Sequence, residues 1–152
     1  MSARPLIRVL IVDDSAVMRR TLKIALSGRA DIAVVGVARD PYEARERIVE
    51  LAPDVVTLDI EVPRMDGLTF LKKLMQSQPA RVIVVSSVAQ ASSANAMRAF
   101  ALGAVDVVPK PDRAASIADV SRGLVRAIRA AAAVPLARLT PAALAGGVGS
   151  AR

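Results

Sequence analysis

The residues of this 152-residue chain that could do chemistry are few and widely spaced. They are an adjacent pair of acids, Asp13 and Asp14; a single acid, Asp59; a hydroxyl pair, Ser86 and Ser87; and a lysine followed by proline, Lys110-Pro111. Each group follows a short aliphatic run: residues 9–12, 55–58, 82–85 and 105–108. Such runs, apolar without alternation, are expected of parallel strands buried on both faces. In an open parallel sheet, groups at the carboxyl ends of strands share one crevice. Three carboxylates gathered there repel; a pair ~4 Å apart at an effective dielectric near 20 costs about 4 kcal/mol. A cation would offset this, and an all-oxygen donor set without thiolate or imidazole suits Mg²⁺. Mg²⁺ held by few carboxylates keeps sites for water and phosphate, a lysine neutralises phosphoryl oxygens, and a hydroxyl hydrogen-bonds one. These are the parts of phosphoryl transfer. A carboxylate can also be the nucleophile. Asp59, alone at its strand end, is the candidate acceptor, while Asp13 and Asp14 form a pair suited to the metal.

These groups converge only if the elements between them carry the chain back across the sheet. A fifth β-branched run, residues 32–37, lies between the first and the third. The helix after it is well marked: Asp40 as N-cap, Pro41 at the first position, Glu43 completing a capping-box-like pair, and Ala44, Ile48 and Leu51 on one face, with Pro53 as its end. Asp66-Gly67 opens another helix, with Leu68, Leu71 and Met75 on one stripe. Ala96, Phe100 and Gly103 mark a fourth helix and its stop. A last helix is expected from Ser116, with Ile117, Val120, Leu124 and Ile128 inward. The order βαβαβαβαβα predicts an α/β fold, a doubly wound five-stranded parallel sheet with about five helices and right-handed crossovers. From about Val134 the pattern fails, and Pro135, Pro141, Gly146, Gly147 and Gly149 read as a linker or tail.

Composition excludes several classes. The chain has no cysteine and no histidine, which rules out disulfides, thiolate or imidazole metal sites, a Ser-His-Asp triad and a phosphohistidine on this chain. Charged residues Arg4, Arg8, Asp13 and Asp14 interrupt the start, so no signal peptide is expected, and no apolar run suggests a membrane span. A cytoplasmic location is the default. The net charge is +7, from 21 basic and 14 acidic residues. The basic residues are spread from Arg4 to Arg152 without a nucleic-acid-reading motif, so no nucleic-acid partner is expected. An Arg-rich composition or an acidic protein partner accounts for the charge.

Residues 9–15 (Val-Leu-Ile-Val-Asp-Asp-Ser), Leu58-Asp59 with Pro63-Arg64-Met65-Asp66-Gly67, Ser86, and Lys110-Pro111 together resemble the receiver domains of two-component response regulators. The resemblance covers about residues 6–133 and implies a flavodoxin-like sheet of order 2-1-3-4-5. Further stretches (residues 40–46, 57–61, 65–71, 85–87 and 103–106) resemble the N-terminal receiver of chemotaxis protein-glutamate methylesterases, the CheB family. In that family a linker leads to a hydrolase domain that removes methyl esters from receptor glutamates and can deamidate receptor glutamines. Residues 134–152 would be that linker. The hydrolase domain is absent from this chain, whose lack of histidine independently precludes the esterase triad. A regulatory fragment is expected, with a stand-alone regulator as the alternative.

Carried over by position, the resemblance implies that Asp59 attacks the phosphoryl group of a phosphohistidine on a chemotaxis-type sensor histidine kinase. Asp14, Asp59 and the backbone carbonyl of Glu61 would bind Mg²⁺, with Asp13 acting through a metal-bound water. Lys110 would pair with the phosphoryl group across a Lys110-Pro111 bond that can be cis, and Ser86 would bring its hydroxyl onto the phosphate. The output would be a phosphorylation switch on the fourth helix, fifth strand and fifth helix, toward a methylesterase domain in cis and the chemoreceptors. Two positions depart from the pattern: Val107, where many receivers carry an aromatic that rotates with the hydroxyl, and Val62, where Met is common. Two rival readings are a Mg²⁺-dependent phosphohydrolase, since residues 59–62 faintly echo the nucleophile loop of haloacid-dehalogenase-like phosphatases, and a binding module with a dead pocket. That phosphatase loop usually follows the first strand, and the full set Asp13, Asp14, Asp59, Ser86 and Lys110 argues against a dead pocket.

Overall fold

Neighbouring residues on a strand face opposite sides of a sheet, and here both sides are apolar. Val9 and Ile11 lie in one core with Leu22, Leu26, Leu124 and Ile128. Leu10 and Val12 lie in a second core with Ile48, Leu68, Leu71 and Leu74. The first strand therefore reads as an unbroken aliphatic run because two helical layers cover it. The structure is a computed structural model that describes residues 6–60, 67–86, 94–110 and 117–139.

Five strands, β1 (Ile7–Val12), β2 (Ile32–Ala38), β3 (Val55–Asp59), β4 (Arg81–Ser86) and β5 (Asp106–Pro109), form one parallel sheet of order β2-β1-β3-β4-β5. Helices α1 (Ala16–Leu26) and α5 (Ile117–Ala132) cover one face; α2 (Pro41–Leu51), α3 (Gly67–Ser77) and α4 (Ala94–Ala101) cover the other. The expected doubly wound fold and strand order are observed. The order reverses between β1 and β3, which opens the crevice at their carboxyl ends.

Local chemistry sets the helix ends. Asp40 accepts a hydrogen bond from the Glu43 amide at 2.9 Å, and Pro41 starts α2. The helix stops at Leu51, one residue earlier than Pro53 requires, where Ala52 turns left-handed with φ 45°. In β2 the register slips between Val34 and Gly36, a bulge on the edge strand. A Cβ on Gly36 would lie 2.6 Å from the Leu51 methyl, so glycine there lets α2 close on the strand. Among the described side chains of α4, Ala99 is buried and Phe100 is exposed. Of the residues expected inward on α5, Val120, Leu124 and Ile128 are buried; Ser116 lies outside the described residues.

The packed fold continues past the point where helical periodicity fails. A 3₁₀ turn spans Leu136–Leu139, and Leu139 is buried in the α2–α4 core, with Val134 packed against the same cluster. The Arg81 guanidinium donates to the Val134 carbonyl at 2.7 Å. Proline 135 breaks the helix without ending the fold. Leu139→Ala should therefore cost about 2 kcal/mol of stability, near the low end for a leucine deleted at a core edge. A urea titration would show this as a lower midpoint with an unchanged slope.

Candidate functional site

The strand register itself assembles the crevice. Val12 pairs with Leu58, so Asp13 and Asp59 stand side by side at their strand ends. The Asp13 amide donates to the Ala38 carbonyl at 3.0 Å and the Lys110 amide to the Ser86 carbonyl at 2.8 Å. Ser86 is paired with Pro109. Asp13, Asp59, Ser86 and Lys110 are thus positioned by the backbone hydrogen bonding that builds the sheet.

The side chains converge. Carboxylate oxygens of Asp13, Asp14 and Asp59 all lie within 4.8 Å of one another. The Lys110 ammonium sits 2.9 Å from Asp59 Oδ2 and 3.5 Å from Asp13 Oδ2, with its side chain only 14% exposed. Asp13, Asp59 and Ser86 are buried, whereas Asp14 is exposed at the mouth. Asp13 Oδ1 accepts from the Ser15 amide at 2.9 Å, and Ser15 in turn caps α1 by accepting from the Met18 amide at 3.1 Å. Glu61, Val62, Ser87 and Pro111 lie outside the described residues, and with them the expected carbonyl ligand of Glu61 and the Lys110-Pro111 bond.

Charge density at this site is high. Burial, reinforced by the negative charges of Asp59 and Asp14, pushes the Asp13 carboxyl up to about 6, against the opposing pull of the Ser15 amide and the Lys110 ammonium. Asp13 Oδ2 is buried and accepts no hydrogen bond; its cationic neighbour is Lys110, at ion-pair distance. A buried carboxylate oxygen with so little compensation is costly unless a cation approaches it. With three carboxylates as donors, the cluster fits a hard divalent ion such as Mg²⁺.

Two residues here were not anticipated from the sequence. The Arg19 guanidinium donates to the Asp13 carbonyl at 2.8 Å and ties the acidic loop to α1. An arginine in the first turns of a helix is a weak signal, since cations are disfavoured near the N-terminus. The Thr57 hydroxyl is buried without a hydrogen-bond partner, on the same side of β3 as Asp59. A threonine inside an aliphatic strand was the only hint.

Glycine 67 holds the far side of the crevice. Its amide donates to the Ile60 carbonyl at 3.3 Å, and a Cβ there would lie 2.3 Å from Ile60 Cα. Ile60 adjoins Asp59, so Gly67→Ala must displace backbone beside the Asp59 carboxylate. We expect a loss of about 1–3 kcal/mol in thermal or urea unfolding, as for other overpacked sites, together with weaker Mg²⁺ binding by titration.

A family model for the response regulator receiver domain matches residues 9–121. The chain belongs to the receiver domain family. Within it, this receiver is similar to the response regulator domain of Thermotoga maritima CheB, with 44% sequence identity and a TM-score of 0.78 over 86% of this chain and 98% of that one. It is 53% identical over 127 residues to a protein-glutamate methylesterase/protein-glutamine glutaminase of Anaeromyxobacter dehalogenans, covering 84% of this chain and 36% of the relative. A Bdellovibrio bacteriovorus protein of the same name is 48% identical over 137 residues, 89% of this chain and 38% of that protein. The receiver thus spans somewhat over a third of the length of these curated relatives. A receiver in a CheX-CheY-BeF3-Mg²⁺ complex from Borrelia burgdorferi is 28% identical, with a TM-score of 0.69 over 84% of this chain and 89% of that one. Among the described residues, no helix is long and apolar enough to cross a membrane.

Proposed function

We propose that this receiver accepts a phosphoryl group on Asp59 from a sensor histidine kinase, in a Mg²⁺-dependent reaction, and relays the signal to a methylesterase domain in cis. The observation that carries this reading is the Lys110 ammonium 2.9 Å from Asp59, facing a cluster of three carboxylates. Asp59 Oδ would attack phosphorus, the P–N bond to the kinase histidine would break, and the product would be an aspartyl phosphate. Asp14 and Asp59, with the Glu61 carbonyl, would hold Mg²⁺ and Asp13 would act through water; when bound, the ion supplies positive charge that offsets the phosphoryl oxygens. Lys110 neutralises a phosphoryl oxygen from the opposite side, and the Ser86 hydroxyl hydrogen-bonds another. Mg²⁺ is further supported by the Mg²⁺-containing complex of the Borrelia relative.

The methylesterase connection rests on the similarity to the Thermotoga maritima CheB domain and to the longer methylesterase/glutaminase relatives. A cytoplasmic location and a chemotaxis role accompany that reading. The phosphohydrolase alternative lacks an independent observation here, since Asp59 lies on the third strand and not the first.

The test is incubation with Mg²⁺ and a small acyl phosphate, read by intact-protein mass spectrometry. One added phosphoryl group is expected, lost with EDTA and in Asp59→Asn. An unchanged wild-type mass at every Mg²⁺ level would refute the proposal, and steady turnover of unrelated phosphomonoesters would favour a phosphatase.

A further inference from the structure

Helix α5 has two unlike faces. Val120, Leu124, Val125, Ile128 and Ala131 are buried, whereas Arg122, Gly123, Arg126, Arg129 and Ala130 are exposed. The three arginines recur at i, i+4 and i+7 and so form one stripe. Arg29, from the turn after α1, joins them, and the four guanidinium-bearing side chains with Val125 line a shallow cavity of about 280 Å³.

Intramolecular partners engage Arg129, Arg29 and Arg122, which leaves the clustering of four arginines itself unaccounted for. Like charges at that spacing destabilise a helix. Asp31 engages Arg129 at 2.8 and 3.0 Å, and Arg29 donates to the Ser121 hydroxyl at 3.4 Å. Arg126 has no hydrogen bond or ion pair among the described residues. Gly123 is the second anomaly. A glycine inside an exposed helix weakens it, yet a Cβ at this position would meet nothing within 4 Å and the φ is not left-handed. Alanine would fit and strengthen the helix. Gly123 and Ala130 leave a low surface between arginines, which permits close approach by another backbone.

We propose that this stripe docks an acidic helix of another protein, one carrying carboxylates at matching i, i+4, i+7 spacing. The patch is all arginine, whose planar fork pairs with carboxylates bidentately. It spans only about 10 Å of helix at 1.5 Å per residue, and the chain's aromatics, Tyr42, Phe70 and Phe100, lie on α2, α3 and α4, so it offers no stacking platform for nucleic acid. Among the described side chains, the exposed apolar residues on α5 are the alanines Ala118 and Ala130, too small to anchor in a membrane. The amide of Ile7, at the start of β1, donates to the Asp31 carbonyl. The patch therefore lies toward the amino-terminal edge of the sheet, opposite Asp59, and a partner there would leave the phosphoryl crevice open. The inference is independent of the phosphoacceptor reading.

The test is fluorescence anisotropy of the full chain with a labelled alanine-rich helical peptide bearing glutamates at i, i+4 and i+7, beside its glutamine counterpart. The glutamate peptide should bind and weaken with salt. Arg122→Gln/Arg126→Gln should weaken binding about tenfold or more, as expected when paired charges are removed. Arg45→Gln/Lys72→Gln, which removes the same charge from α2 and α3, should change it less than about twofold, as for charges beyond a Debye length. Gly123→Ala should raise the melting temperature and still weaken the peptide. Equal loss in both double variants, no binding of the peptide, or binding only of single-stranded DNA or phosphatidylserine vesicles through Arg122 and Arg126 would overturn the proposal.

Discussion

Lys110→Met should slow phosphoryl uptake from a small acyl phosphate by about 10²–10³-fold, the scale seen when one preorganised charge-stabilising group is removed. The lysine lies 2.9 Å from Asp59 and is largely buried, so its charge acts in a poorly solvated site. In the proposed transfer, negatively charged phosphoryl oxygens would have to approach the Asp59 carboxylate. Lys110 would offset that charge without first having to move. The same substitution should also weaken the metal-free fold, because Asp13 and Asp59 would be left buried together without their cation. Breaking a buried ion pair on one side costs about 3–5 kcal/mol. The two effects separate experimentally. Added Mg²⁺ should restore much of the melting temperature of Lys110→Met but not its phosphorylation rate, which stopped-flow or mass spectrometry would follow. Restoration of the rate as well would mean that Lys110 is structural alone.

Asp13 should make stability depend on both pH and Mg²⁺. Its folded carboxyl titrates at about 6 against 3.8 unfolded, chiefly because it is buried. Between those values the folded state holds the extra proton. The resulting stability is present below about pH 3.8 and is lost as pH rises through about 6. A shift of two units corresponds to about 3 kcal/mol. At neutral pH the metal-free protein therefore carries an ionised Asp13 that opposes folding. The proposed Mg²⁺ site needs the cluster ionised, so the stabilising effect of Mg²⁺ should grow as pH is raised through 6. Asp13→Asn should raise the metal-free melting temperature at pH 7.5 by about 3–6 °C, for a gain of ~1–2 kcal/mol in a domain of this size. It should also abolish most of the Mg²⁺ increment. Differential scanning calorimetry with EDTA or Mg²⁺ at pH 5 and 7.5 would check both; a lower metal-free melting temperature in Asp13→Asn would show that the carboxylate is not repelled.

The one-dimensional pattern already contained most of the scaffold and the main site. Short aliphatic runs without alternation, bounded by turn residues, fit strands covered on both faces, because exposure of one face would favour alternation. Four of the five runs are followed by residues able to do chemistry, which marks Asp13, Asp14, Asp59, Ser86 and Lys110 in the sequence alone. The caps of α2 were equally legible, because Asp40, Pro41 and Glu43 act within one turn of helix.

What the tertiary structure decided depends on distances between segments far apart in the chain. The sequence could not say that Asp13 is buried while its neighbour Asp14 is exposed, since that depends on which way the loop after β1 turns under the Ser15 cap and Arg19. Nor did periodicity show that Leu139 belongs to the core, because a 3₁₀ turn beyond a proline has no repeating stripe to read. The face of α5 is a similar case. Its arginines were visible as composition, spread along the chain. Only the packing of α5 against α1 and the sheet brings Arg29 beside Arg122, Arg126 and Arg129. Asp59 itself was marked by its strand, but the lysine 2.9 Å away is set by the pairing of β3, β4 and β5, which no local pattern encodes.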